Sequence, residues 1–279
     1  MAESKTKFQI EVKRAPEQGR SFRAALFDFD GTLSLIRSGW QDVMTPYFYE
    51  ELAKVADPTK ESKEEIMRVV RDFIDQITGK QTIYQCMRLA DEIGARGGRP
   101  LEPLAYKKEY LRRLQIHTKD RIDRLTSGAA APDEYVVPGA RRFLQILRDA
   151  GVRLYLASGT DEVDVKREAE LLQLTSYFDG GIYGAQDDYK RFSKAMVIEQ
   201  IIATNRLDGA ELVGFGDGYV EIENVRAIGG YAVGMATLEA KPGGIDEWKR
   251  ARLLQAGADA IAPDYGDPDA LFEFLHPCK

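Results

Sequence analysis

Cysteine, histidine and basic charge are all scarce in this 279-residue chain. Two cysteines, Cys86 and Cys278, cannot build a disulfide framework or a zinc cluster, so they read as unpaired thiols in a reducing compartment. Two histidines, His117 and His276, are too few and too far apart in sequence for a His-based metal site. Serine-hydrolase and papain-like triads are poorly supported for the same reason. The net charge of −6, from 39 basic and 45 acidic side chains, leaves no basic surplus for a phosphate backbone and argues against a nucleic-acid partner. It leaves room for a small phosphorylated substrate, whose charge one metal ion and one lysine can meet. No stretch approaches the roughly 18 apolar residues of a membrane span. Met1 to Gln18 is polar and lacks an apolar core of signal-peptide length. The expectation is a soluble, cytoplasmic protein with no membrane partner; the sequence carries no signature of oligomeric state.

What is present is an ordinary globular composition, 44% hydrophobic and 30% charged, in a chain long enough for a core plus an inserted module. Its most informative stretch is Leu26-Phe27-Asp28-Phe29-Asp30-Gly31-Thr32-Leu33. The apolar run Ala24-Ala25-Leu26-Phe27 reads as a strand buried on both faces of a parallel sheet. It ends in two aspartates two residues apart, at the edge where open α/β sheets bind ligands. Two carboxylates crowded there need a cation or a shared proton.

Periodicity divides the rest. Phe8, Ile10 and Val12 alternate with polar residues, as an edge strand or a lightly tethered arm would, and residues 1–22 read as an N-terminal extension. Residues 38–128 change to helix after helix. Ile66, Val69, Val70, Phe73, Ile74 and Ile77 form one helical stripe that Gly79 ends, and Pro103 opens a long helix. The charged residues Lys107, Lys108, Arg112 and Arg113 read as solvated helix surface. Strands then alternate with helices from Pro138 to Ala262, which predicts a parallel sheet covered on both faces. The fold class is therefore α/β, a Rossmann-like core of residues 23–37 and 129–279 with an all-helical insertion.

Asp28 to Thr32 resembles the DxDGT motif of the haloacid dehalogenase-like (HAD) hydrolases, and three further segments fall in the order that family requires. Ser158 ends the apolar run Val152–Ala157, Lys194 opens an apolar helix, and Asp217 and Glu221 follow Leu212–Gly216. The insertion at 38–128 resembles the helical C1-type cap of subclass I members, such as phosphoglycolate and phosphoserine phosphatases.

The resemblance implies a Mg²⁺-dependent phosphatase acting on a small phosphorylated metabolite. Asp28 would be the nucleophile that forms an aspartyl-phosphate, and Asp30 the acid and then the base. Asp30 favours phosphoryl transfer over carbon–halogen cleavage, because a departing halide needs no proton. Ser158 and the backbone at Gly159 would hold the phosphoryl oxygens, with Thr160 a competitor for that place. Lys194, 23 residues before Asp217, would balance their charge; Lys190 is the alternative, since the family's frequent Lys-Pro pair is absent. Asp28, Asp30, Asp217 and Glu221 would supply the metal site, Glu221 as ligand or through water, where relatives often carry Asp. Arg37 and Trp40 are near enough in sequence to reach the site, where they could bind a second anionic group or stack on a sugar or base. As plain structure they read as an exposed arginine and a core tryptophan. The alternatives are a phosphomutase of the same fold and a catalytically idle HAD-like binding module.

Overall fold

Ala24–Phe27 forms strand β2, with all four residues buried, and it lies inside the sheet because its side chains suit both faces. Ala25 and Phe27 enter one apolar layer, while Ala24 and Leu26 enter the other. That two-residue period converts one short apolar run into the floor of two half-cores. The computed structural model describes residues 10–186, 188–241 and 243–276.

Among these residues the strands are β1 (Glu11–Val12), β2, β3 (Arg153–Asp161), β4 (Gly181–Ala185), β5 (Leu212–Gly216), β6 (Tyr231–Met235) and β7 (Ala260–Ala262). Their spatial order is β1-β7-β6-β5-β2-β3-β4. All pairings are parallel except β1 with β7, so the sheet is mixed at one edge. Glu11 and Val12 form this edge strand, one of the two readings of the alternating run, with Val12 exposed, whereas Phe8 lies outside the described residues. The register aligns Phe27 with Leu156 of β3 and with Phe215 of β5. Asp28, Ser158 and Asp217 therefore leave the sheet at one carboxyl edge.

Beneath that edge Phe27 stacks on Phe215, centroids 4.6 Å apart and planes 7° from parallel, with Phe143 and Tyr265 around them. Buried aromatics of this size contribute a large share of a core's apolar area. The motif is thus mounted directly beyond this aromatic stack.

The segment after β2 is helical: α1 (Trp40–Ala53), α2 (Lys63–Ile77), α3 (Thr82–Ala95) and α4 (Pro103–Thr126). The predicted stripe of α2 is buried at Ile66, Val70, Phe73 and Ile74, and Ser62 and Glu65 close its start as a reciprocal capping box. These helices share an apolar cluster of their own, built on Phe48, Leu89, Tyr110 and their neighbours. Around the sheet lie α5 (Ala140–Asp149), α6 (Glu162–Leu171), α7 (Lys194–Asn205), α8 (Tyr219–Ala227), α9 (Glu247–Gln255) and α10 (Pro268–Leu275). Among the described residues no helix is long and apolar enough to cross a membrane. Cys86 is a free, buried thiol, which burial pushes up to about 12; Cys278 lies outside the described residues.

Candidate active site

The chain turns sharply after Phe29, whose carbonyl accepts from the amides of Leu33 and Ser34 at 2.8 and 2.9 Å. Gly31 makes this turn at φ +72°. A Cβ there would lie 2.3 Å from Asp217 Oδ2, so both the backbone angle and the close approach require glycine. The Asp28 amide, donating to the Phe215 carbonyl at 2.9 Å, fastens the first motif to β5.

Asp28 is buried, and its Oδ1 lies 2.8 Å from Lys194 Nζ. Burial is the largest influence on its carboxyl and raises its pKa; Lys194 opposes this and the nearby Asp217 adds to it. Lys194 is fixed as the first residue of α7, where Ser193 Oγ accepts from the Met196 amide at 3.1 Å. Lys190, the alternative lysine, is exposed and lies over the Tyr189 ring. Glu221, from the first turn of α8, is buried against the Lys194 ammonium, which thus sits between two carboxylates.

Asp30 is partly buried. Its Oδ2 accepts from Thr160 Oγ1 at 2.7 Å, while its Oδ1 is buried without a hydrogen-bond partner among the described residues. Loss of water raises its carboxyl to about 7, with Arg37 pulling down and Glu168 pushing up. A group with that value exchanges protons readily near neutrality. Ser158 is buried, and its Oγ accepts from the Thr160 amide at 3.1 Å. Ser158 and Thr160 thus take separate places: one at the cavity wall, the other on Asp30. β3 continues past Ser158 to Asp161, with a register shift between Ala157 and Asp161 that re-aims this stretch.

Several expectations change. Arg37 is neither exposed nor free for a second anionic group: it is buried, donates to both oxygens of Glu168 and lies 3.2 Å from Asp164. Lys107 is buried, not solvated, and pairs with Asp161 of the core. Trp40 is half-buried at the cavity wall. Of the four expected metal carboxylates, Asp28, Asp30 and Asp217 line one cavity, although among the described residues no three carboxylate, histidine or cysteine side chains are grouped to hold an ion. Asp28 and Asp217 remain as facing donors, with Glu221 turned to Lys194.

Lys249, on the first turn of α9, gives no signal in the sequence. It is buried, and its Nζ lies 2.8 Å from Asp217 Oδ2 and 2.7 Å from Glu239 Oε1. These two acids hold its ammonium charged against the cost of burial.

The loop between α2 and α3 roofs the site. Gln81 Nε2 donates to the carbonyl of Phe192 at 2.7 Å, just before Lys194. A Cβ on Gly159 would meet the Lys80 carbonyl at 2.7 Å, and one on Gly218 would meet Gly79 Cα at 3.0 Å. Beneath the roof is a cavity of about 90 Å³. Asp28, Asp30, Ser158, Lys194 and Asp217 line its floor, and Trp40, Met44, Gln85, Tyr110 and Leu114 its far wall.

A family model described as haloacid dehalogenase-like hydrolase matches residues 22–229. No curated protein resembles the sequence closely enough to count as a match. Among solved structures, the chain is similar to a β-phosphoglucomutase from Clostridium difficile, with a TM-score of 0.59, 13% identity, and 91% of this chain and 97% of that one covered. A predicted phosphoglycolate phosphatase from Haemophilus somnus 129PT gives 0.56 at 15% identity, covering 90% of this chain and 98% of that one. A predicted phosphatase from Clostridium acetobutylicum gives 0.56 at 19% identity, covering 91% and 99%. At these identities the likeness concerns the fold.

Proposed function

The chain belongs to the haloacid dehalogenase-like hydrolases, and from that premise we propose a Mg²⁺-dependent phosphatase that hydrolyses a small phosphomonoester through an aspartyl-phosphate. The observation that carries this reading is the pairing of buried Asp28 with Lys194 at 2.8 Å beside Asp30 on its Thr160 hydrogen bond. A binding module has no need of a buried nucleophile, a lysine paired with it and an acid near neutrality in one cavity.

A carboxylate oxygen of Asp28 forms a bond to phosphorus as the bond to the ester oxygen breaks. Asp30 gives its proton to the departing alkoxide; as a carboxylate it then takes a proton from the water that attacks the acyl phosphate, which frees Asp28 and phosphate. Lys194 lowers the repulsion between Asp28 and the phosphoryl oxygens, and Glu221 holds the ammonium in place. Ser158 Oγ and the Gly159 backbone line the same cavity as donors for those oxygens. Asp28 and Asp217 suit Mg²⁺, which takes one or two carboxylates and fills its other positions with waters and phosphate oxygens. When bound, the ion would neutralise charge on the phosphoryl group.

Residues 38–128 read as a cap whose α2–α3 loop excludes water while the intermediate exists. The test is phosphate release from a panel of phosphomonoesters, with chelator and Asp28→Asn as controls. Release that both controls abolish supports the reading. Release that survives Asp28→Asn overturns it, as does a requirement for a bisphosphate activator.

A further inference from the structure

The carboxylate best placed to hold the metal already has a cation of the protein's own on it. Lys249 Nζ lies 2.8 Å from Asp217 Oδ2, and the position a Gly31 Cβ would take is only 2.9 Å from the same ammonium. The lysine is therefore packed into the turn that carries Asp28 and Asp30. It is held from its base as well, because its amide donates to Asp246 Oδ1 at 3.0 Å in the first turn of α9. Its second acceptor, Glu239 Oε1 at 2.7 Å, comes from the segment between β6 and α9.

We propose that Lys249 is a tethered cation that competes with the metal for Asp217 and so sets how tightly the site holds Mg²⁺. This rests on the assignment of Asp28 and Asp217 as the metal's donors. Without metal, the ammonium compensates a carboxylate that would otherwise face Asp28 uncovered. When Mg²⁺ arrives, two like charges share one carboxylate in a partly dry site, and the metal binds more weakly than it would to Asp28 and Asp217 alone. Glu239 limits that penalty, because it keeps a partner for the ammonium once the metal draws charge from Asp217. Lys249 and Glu239 therefore act in opposite senses on metal affinity, the lysine against the ion and the glutamate for it. The site's low resting affinity then favours loading together with a phosphorylated substrate, whose own negative charge supports the ion.

The experiment is calorimetric titration of Mg²⁺ into metal-stripped wild type, Lys249→Met, Glu239→Gln and Asp217→Asn, with circular dichroism and a melting curve on each. Lys249→Met is expected to bind about tenfold more tightly, since one repelling charge is gone, and Glu239→Gln several-fold more weakly. Asp217→Asn should lose binding. Affinities for the first two variants within twofold of wild type overturn the proposal while leaving the donor assignment standing. Weaker binding by Lys249→Met overturns it too, by making the lysine a support for the metal. Should Lys249→Met fail to fold, Glu239→Gln alone carries the test, because it leaves the lysine in place. Wild type that binds no Mg²⁺, or Asp217→Asn that binds as wild type does, overturns the donor assignment and the proposal with it.

Discussion

At the scale of single residues, Asp28, Asp30, Ser158, Lys194 and Asp217 could be read from the sequence because each stands beside a local signal. An apolar run ends at the aspartates and at Ser158, and Ser193 caps the helix that Lys194 opens. Lys249 had no such mark. It sits 32 residues after Asp217 with a strand between, on a helix that reads as ordinary charged surface. Arg37 and Glu168 are 131 residues apart, so their pairing, and Arg37's loss as an anion site, is a product of tertiary packing alone.

Two predictions belong to this scale. Lys194→Ala should cost about 10²–10³ in kcat, as removal of a preorganised charge partner does. Lys190→Ala should stay near wild type, and the reverse ranking in a steady-state assay would reassign the lysine. The second concerns Asp30, whose carboxyl is raised in the folded protein to about 7. Between its unfolded value and that one the native state binds more protons than the unfolded state, so stability falls as pH rises through this window. Asp30→Asn removes the penalty. In chelator, the variant should exceed wild type above pH 7 by ~1–4 kcal/mol, and the gap should close toward pH 4. Urea unfolding across that range checks it; parallel curves would refute the buried-acid reading.

At the scale of elements, the order of strands and helices was legible because their periods differ and because glycine and proline mark their ends. Gly79 beyond α2 and Pro103 at the start of α4 are examples. The mixed edge was not, since an alternating run of this length does not declare its partner's direction. Nor was the α2–α3 loop's place over the site, which depends on Gln81 reaching the Phe192 carbonyl 111 residues away. That seating predicts the effect of Gly159→Ala. The added methyl meets the Lys80 carbonyl and pushes the roof outward. Turnover of a good substrate should drop at least about tenfold, as a small misplacement of a closing element does, with the melting temperature little changed. Wild-type kinetics in this variant would mean that the roof is not closed during the reaction.

At the scale of the whole molecule, two half-cores share one sheet, and a third apolar cluster sits within the helical segment. Lys107–Asp161 and Gln81–Phe192 are polar ties across that division. Apolar contact crosses as well, where Leu125 and Ile122 of α4 pack into a cluster of the sheet itself.

The short β1 has a consequence of another kind. Its pairing with β7 is reinforced by the Lys13 and Arg14 amides donating to Asp259, by Tyr231 Oη donating to the Arg14 carbonyl at 2.6 Å, and by Arg250 on Glu11. Without it, β7 would present an open row of backbone donors and acceptors, which invites strand addition by another chain. A variant lacking the residues up to Arg14 should keep its far-ultraviolet spectrum yet scatter light on mild heating, more steeply as concentration rises. Equal colloidal behaviour with and without the strand would show that the β7 edge is protected by other means. If the shortened form scatters more, two residues of strand, held by a few polar contacts, set how concentrated this protein can be kept before copies join edge to edge.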